Sequence, residues 1–429
     1  MEKKVGIETF FTDTEGVGGR IKVYPEDFHV IEDIELPELK EGEYSIAKIW
    51  SRNWETNRLV LKLAKELGIS RDDISFSGTK DKRAITTQWM SFKTKPQRFE
   101  NIDIKDVKIT EIQYSHRTLH LGMHNGNDFK IIIRELKVEE DEAIELADMT
   151  GNRILDEGGF PNWFGIQRFG ALRPITHEVG RYIIKSDFEK AVKIYIANPI
   201  EGENEVCKKA REYLEKTWDY EGALEMYPQN LHFERSMIKH LIKNPEDYVG
   251  SLKKLPRNLR MMFVHAYQSY LFNRMVSERL KDGYPLNDAL VGDVLLPADR
   301  SGLPNKNTKV EVSERNLEKA SNMVKQGKAY VSGPLIGCHT EFSDGIQGEI
   351  ERNIMEKEGL EKEDFVIPEL SSLSSTGTRR EMFSQVKDLS WELARGGLKL
   401  EFGLNKGCYA TTLLREFMKL PSSQIARYS

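Results

Sequence analysis

The sequence predicts an α+β protein in which a sheet-forming domain is interrupted by an inserted, helix-rich domain. Three observations carry this reading. Alternating apolar and polar residues dominate the stretch up to about residue 134, helical spacing dominates from about 139 to 359, and strand character returns at LKLEFGL, Leu398–Leu404. A chain of 429 residues also exceeds one ordinary compact core, so two domains are expected.

Taken in order, residues 19–35 (GRIKVYPEDFHVIEDIE) alternate around a Pro-Glu-Asp turn and suggest two short strands. Glu43–Trp50 reads as another strand. From Thr56, whose hydroxyl suits an N-cap, a helix places Leu59, Val60, Leu63, Ala64 and Leu67 on one face and stops at Gly68. Ile74–Lys93 reads as a short strand, a tight charged turn at Gly78, and a β-prone stretch. Strands dominate 107–134. Helices are expected at 139–157, 177–197, 204–216, 257–281, 313–327 and 345–359, with loops at 283–309 where Gly and Pro are dense. The helix at 257–281 carries enough Met, Phe, Tyr and Leu to bury one face. A short apolar helix follows at 411–419. No internal repeat is present.

Composition narrows the function classes. Hydrophobic residues make up 39% and charged residues 31%, as in a soluble globular protein. No apolar run reaches the roughly 18 residues of a membrane span. The N-terminal segment has no apolar core behind its lysines, so no secretory signal is expected and the protein is expected in the cytoplasm. Cys207, Cys338 and Cys408 lack metal-ligand spacing. His116, His120 and His124 are spaced by four but fall in strand and loop, which argues against a metal site. Neither a phosphate-binding loop nor a dinucleotide fingerprint occurs. The formal net charge, 63 − 68 = −5, leaves room for a local basic groove.

Three segments stand out chemically. Gly78-Thr79-Lys80-Asp81-Lys82-Arg83 sets one carboxylate among three cations after a glycine turn. It is either a solvated surface turn or an ionised carboxylate held for nucleophilic or base chemistry, with cations available to a phosphate backbone. In Asn127-Asp128-Phe129-Lys130, Phe129 is a core residue or a stacking partner for a nucleobase. Asn162–Gly170 (NWFGIQRFG) interleaves aromatics with an arginine, which fits RNA contact and a tightly packed hinge equally well.

Six segments, in order, resemble the TruD family of pseudouridine synthases. They are Lys22 with Pro25–Glu32; Gly78–Ala84 continuing to Thr87-Gln88; Asn127-Asp128-Phe129 with Arg134; Asn162–Gly170; Gln268–Asn273; and Gly407–Thr411 with Leu414-Arg415-Glu416. The resemblance runs from about residue 19 to 418. It implies a V-shaped molecule: a pseudouridine synthase catalytic domain with a mixed, mainly antiparallel sheet (1–161 and 376–429), split by an inserted α+β, helix-rich TRUD domain (162–375). It implies isomerisation of a uridine in tRNA, usually uridine-13, with no cofactor, no metal and tRNA as partner. Asp81 matches the catalytic aspartate. Phe129 matches the residue that stacks on the target base, and Lys22 and Asn127 match active-site positions. Phe28, Lys80, Arg83 and Arg168 are the remaining expected substrate contacts.

The chemistry agrees with these residue types. The N1–C1′ bond breaks, the uracil turns, and a C5–C1′ bond forms, with no redox change. Positive character at C1′ calls for a close carboxylate, and retention of the detached base calls for a closed pocket. Two other classes remain at this stage. A non-catalytic RNA-binding or structural RNP protein would bind without isomerising. A metal-dependent nuclease would need an acidic cluster that the sequence lacks.

Overall fold

A computed structural model of the chain describes residues 2–38, 40–80, 82–170, 172–394 and 396–420. In chain order the elements are β1 (Phe28–Asp33), β2 (Tyr44–Arg52), α1 (Thr56–Leu67), β3 (Ile74–Phe76), β4 (Ile85–Phe92), β5 (Val107–Ser115), β6 (Gly126–Arg134), α2 (Glu140–Asp156) and β7 (Gly159–Pro161). Next come α3 (Thr176–Ile184), α4 (Phe188–Ile196), α5 (Glu205–Thr217), α6 (Tyr220–Met226), α7 (His232–Lys243), α8 (Tyr248–Lys253) and α9 (Arg257–Lys281). Then follow β8 (Val294–Pro297), β9 (Val310–Glu311), α10 (Leu317–Lys325), β10 (Ala329–Leu335), α11 (Gly345–Glu358) and β11 (Thr378–Glu381). Last among the described residues come β12 (Phe383–Ala394), β13 (Gly397–Asn405) and α12 (Ala410–Met418). Two compact units result: Phe10–Phe160 with Ser384–Ser429, and Met1–Thr9 with Pro161–Phe383.

The first unit is built on a nine-stranded sheet in the order β5-β2-β4-β1-β6-β13-β12-β7, with β3 on β4. The β1–β4 pairing is parallel, while β2–β4, β1–β6, β6–β13 and β12–β13 are antiparallel, so the sheet is mixed and mainly antiparallel. One face carries two separate apolar clusters. Leu59, Val60, Leu63 and Leu67 of α1 cover Ala47, Ile49 and Met90. Ala143, Ala147 and Ile154 of α2, with Leu413, Leu414 and Phe417 of α12, cover Ile131, Ile133, Leu398 and Leu400. The expected spacing at 59–67 is borne out, and Gly68 ends the helix in the left-handed conformation, φ 63°. The cap differs. Glu55 accepts from the backbone N–H groups of Asn57 and Arg58, at 3.0 and 2.9 Å, which leaves the Thr56 hydroxyl to bond elsewhere.

The two sequence-distant parts of this unit are joined by a buried carboxylate. Glu416 Oε2 accepts from the backbone N–H of Phe11 (3.1 Å) and of Thr12 (3.0 Å), and Arg415 Nη1 donates to its Oε1 at 3.0 Å.

Where two strands were expected at 19–35, only β1 forms. Lys22 adopts φ 56°, and Pro25–Asp27 make a 3-10 turn, so the first half runs as a loop with a single bridge from Arg20 to Arg134. Asp27 holds that turn. It is fully buried, its Oδ1 accepts from Arg134 Nε at 2.7 Å, and its Oδ2 accepts from the Tyr24 N–H at 2.9 Å.

The second unit is α+β. Its antiparallel sheet, β11-β10-β8-β9, packs beside the 25-residue α9. Residues 376–383 belong here because β11 pairs with β10, from Leu335↔Thr378 to Ser332↔Glu381. Residues 2–9 belong here because Asn273 Nδ2 donates to Val5 O (2.9 Å) and Ser277 Oγ to Gly6 O (2.8 Å). The expected helix 177–197 is two helices, broken where Ser186 turns left-handed (φ 57°) and Asp187 caps α4 by accepting from the Lys190 N–H. β8 lies within the expected loop 283–309, and its Asp293 neighbour pairs with Arg279 through contacts of 2.6 and 2.8 Å, both side chains essentially buried.

Asp27 is the clearest single point of failure in the first unit. Replacing it by Ala leaves Arg134 without its carboxylate and is expected to destabilise the protein by about 3 kcal/mol. A urea titration with unchanged slope and a lowered midpoint would register this, and an unchanged midpoint would refute it.

Candidate active site

Between the cluster under α1 and the cluster under α2 and α12, the strands β4, β1 and β6 carry the polar side chains of Gln88, Glu32 and Asn127. Cross-strand neighbours share a face, so register decides which residues meet. Val30 pairs with Phe129, and Phe129 with Phe402; one step along, Glu32 pairs with Asn127, and Asn127 with Leu404. The parallel register of β1 with β4 runs through Ile31↔Thr87, so Gln88 falls beside Glu32. An aromatic row and a polar row therefore lie side by side.

The aromatic row holds three expected site residues. Phe28 meets Phe129 edge-on at 6.2 Å between centroids, and Phe129 stacks on Phe402 at 5.3 Å. Lys22 Nζ lies 4.2 Å from the Phe28 ring centroid, with the lysine only 4% exposed. The backbone at Lys22 is left-handed, unusual for a residue with a long side chain, and its side chain packs over Phe28. Asp27 and Arg134 fix the turn that delivers Phe28.

The polar row is dominated by a buried ion pair. Lys80 Nζ lies 2.7 Å from Glu32 Oε1, with side-chain exposures of 5% and 1%. Glu32 Oε2 accepts from the Trp89 N–H at 3.0 Å, so both oxygens are bonded. Burying one charge alone would be costly, and the pair is tolerated because each partner is bonded. The backbone of Lys80 is held as well: its N–H donates to Thr56 Oγ1 at 2.8 Å. Ser77, at the start of this loop, gives its carbonyl to the Gly122 N–H (2.8 Å) and to His124 Nδ1 (3.2 Å). Burial, and then the Lys80 ammonium, hold His124 below the usual imidazole range.

Several polar atoms of this region are buried without a hydrogen-bond partner: Ser77 Oγ, both amide atoms of Gln88, and Asn127 Oδ1. Such orphans are few in native proteins and mark places built for a further partner. Gln88 is 2% exposed. Among the described residues no group of three or more His, Cys, Asp or Glu side chains is placed to hold a metal ion.

Asp81, the carboxylate singled out in the sequence, lies outside the described residues. Its flanks, Lys80 and Lys82, are described. Lys82 and Arg83 are exposed, whereas Lys80 is turned inward. Lys22, Phe28, Lys80, Asn127 and Phe129 thus come together on one face. Arg168 belongs to the second unit, where its Nε donates to Ser269 Oγ at 3.2 Å. The aromatics around it are core: Trp163 and Phe169 are fully buried and Phe164 is 7% exposed. Asn273, in the Gln268–Asn273 segment, holds that block by accepting from the Phe164 N–H at 2.7 Å. Glu32, Thr56, His124 and Phe402 were not expected at this site from the sequence, where Thr56 read as a helix cap and His124 only as one of three histidines spaced by four. Glu32 was visible only as the last member of the Pro25–Glu32 segment.

Comparisons with known proteins give a consistent result. The family model "tRNA pseudouridine synthase D (TruD)" matches residues 4–417. A Methanococcoides burtonii protein named "Probable tRNA pseudouridine synthase D" is 42% identical over 427 residues, covering 98% of this chain and 97% of that protein. A Thermococcus sibiricus protein of the same name is 36% identical, with 96% and 97% covered. A crystal structure of a Methanosarcina mazei protein described as TruD superposes with a TM-score of 0.89 at 42% identity, covering 98% of each chain.

The lowered proton affinity of His124 has a consequence for acid stability. In the unfolded chain the imidazole takes its proton near its ordinary value of 6.5, whereas in the fold it does so only at lower pH. The unfolded state then binds more protons, so stability is full above that value and falls as pH drops through it. His124→Gln is expected to flatten the decline of the urea midpoint below pH about 6.5. An identical pH profile in the two proteins would refute the assignment.

Proposed function

This chain belongs to the tRNA pseudouridine synthase D (TruD) family, a family of isomerases that act on tRNA, and on that premise we propose that it converts uridine-13 of tRNA to pseudouridine with Asp81 as the catalytic carboxylate. The observation that carries the reading is the setting of the Asp81 loop. Its flank at Lys80 is tied into the sheet beside an aromatic row and beside buried amides that lack partners.

The roles follow from the chemistry. The target nucleotide leaves its stack so that C1′ and C5 are exposed. The uracil packs against the ring of Phe129, which Phe28 and Phe402 hold in place. Uracil offers one N–H between two carbonyls, and Asn127 and Gln88 supply amide acceptors and donors to match. Asp81 stabilises the positive character at C1′ as the N1–C1′ bond breaks. The base turns about its stack, C5 bonds to C1′, the C5 proton leaves and N1 gains one. An enclosed site keeps water from capturing C1′ while the base is detached. Lys22 lines the site. Lys82 and Arg83, exposed beside it, suit phosphates of the tRNA backbone. This chemistry resides in the unit formed by 10–160 and 384–429, and the inserted unit, with Arg168, adds grip on tRNA. The reading places the protein with its substrate in the cytoplasm. Among the described residues no helix is long and apolar enough to cross a membrane.

Tritium release from tRNA carrying [5-³H]uridine, with chelator present, tests the reading. The native protein is expected to release tritium, and Asp81→Asn to lose roughly 10⁴-fold or more in rate. Phe129→Leu keeps the core filled but removes the ring, and is expected to lower kcat/KM by roughly 5- to 150-fold. Full activity in Asp81→Asn would sink the assignment.

A further inference from the structure

We infer that the corner between β2 and α1, Asn53–Thr56, together with Glu32, is the device that positions the catalytic loop, and that Lys80 serves this positioning rather than phosphate binding. The inference rests on the reading of Asp81 given above.

Both flanks of the loop are bonded to this one corner. On the upstream side, the Lys80 N–H donates to Thr56 Oγ1 at 2.8 Å, and the same hydroxyl faces Lys80 O at 3.5 Å. On the downstream side, the Asn53 N–H donates to Ala84 O at 2.9 Å, and the Ala84 N–H closes a tight turn onto Lys82 O at 3.0 Å. Asn53 reaches its place by adopting φ 61°, where an asparagine is among the better tolerated residues. Thr56 is 2% exposed and Ala84 1%, so water does not compete for these bonds.

The corner is free for this task because Glu55 caps α1 through Asn57 and Arg58. A threonine at the first position of a helix ordinarily spends its hydroxyl locally; here it is spent on a loop 24 residues away. The third fixing point is the Lys80 side chain on Glu32, which is itself bonded to the backbone of β4. Lys80 is therefore held at its backbone from the start of α1 and at its ammonium from β1. Its charge is matched by a carboxylate 1% exposed, out of reach of a phosphate. A carboxylate that must approach C1′ within a fraction of an ångström needs such a mount, because a misplacement of about 1 Å costs on the order of 10²-fold in rate.

The test uses full-length protein, [5-³H]uridine tRNA, single-turnover rates at saturating enzyme, and tRNA affinity by filter binding. Thermal melts check folding. The variants are Thr56→Val, which keeps shape and loses the hydroxyl, Thr56→Ser, which keeps the hydroxyl, Glu32→Gln, Lys80→Met, and the Glu32→Gln/Lys80→Met double. Expected are single-turnover rates lowered by roughly 10- to 100-fold in Thr56→Val, Glu32→Gln and Lys80→Met, with tRNA affinity unchanged. Thr56→Ser should recover the native rate, and the double should be no slower than its slower parent. Thr56→Val removes only the two contacts of one hydroxyl to the Lys80 backbone, so it decides the matter even where Glu32→Gln fails to fold. A native rate in Thr56→Val overturns the inference. So does weakened tRNA binding with an unchanged saturated rate in Lys80→Met. If Asp81→Asn remains active, the reading beneath has failed; if Asp81→Asn is inactive while Thr56→Val is fully active, this inference alone has failed.

Discussion

The Glu32 carboxylate, nearly enclosed in the face of a β-sheet, is the constraint from which the rest of the site follows. A buried charge must be matched in sign and in hydrogen bonds, or the fold around it is lost. Glu32 meets both demands by taking the Lys80 ammonium on one oxygen and the Trp89 backbone on the other. Lys80 is thereby drawn beneath the loop instead of outward, and the loop's course is set. One electrostatic necessity links β1, β4 and the turn that carries the proposed chemistry.

The same sheet explains why a domain split across the sequence still works. β13, from beyond the insertion, lies next to β6, and Phe402 on it supplies the stacked support for Phe129. Glu416 of α12 then ties that helix to Phe11 and Thr12 near the start of the unit. Neither half could form this site alone, because the aromatic row needs β1 and β6 from one segment and β13 from the other. The second unit has its own core around α9 and its own four-stranded sheet, as a separately packed insertion requires.

How much of this the sequence displayed depends on how local each feature is. The α1 stripe from Leu59 to Leu67 was plain, because its cause is spacing within one helix. The alternation in β1 and β6 was plain for the same reason, and so was the strand at Leu398–Leu404. The role of Thr56 was not, since a threonine before an apolar stripe reads as a cap and only the presence of Glu55 in that role frees it. The aromatics at 163–169 read as either contacts or core; Asn273, far along the chain, decides for core by bonding the Phe164 backbone. The strands β8 to β11 went unread because they span two to seven residues each and sit among turn signals or between helices. The short helices α6 and α8 are too brief for periodicity to speak.

The run Lys80-Asp81-Lys82-Arg83 shows how adjacency in sequence misleads about charge. Read linearly, the cations form one basic patch around an acid. In the fold they divide. Lys80 faces a carboxylate at 2.7 Å in a dry setting, where geometry is fixed and salt has little effect. Lys82 and Arg83 stand in water, where a single pair with a mobile partner contributes at most about 1 kcal/mol and is screened by salt. The interior cation is suited to setting position and the exterior ones to attracting a polyanion. A single loop can serve both needs only because Glu32, 48 residues upstream of Lys80, takes one charge out of solution and leaves the others in it.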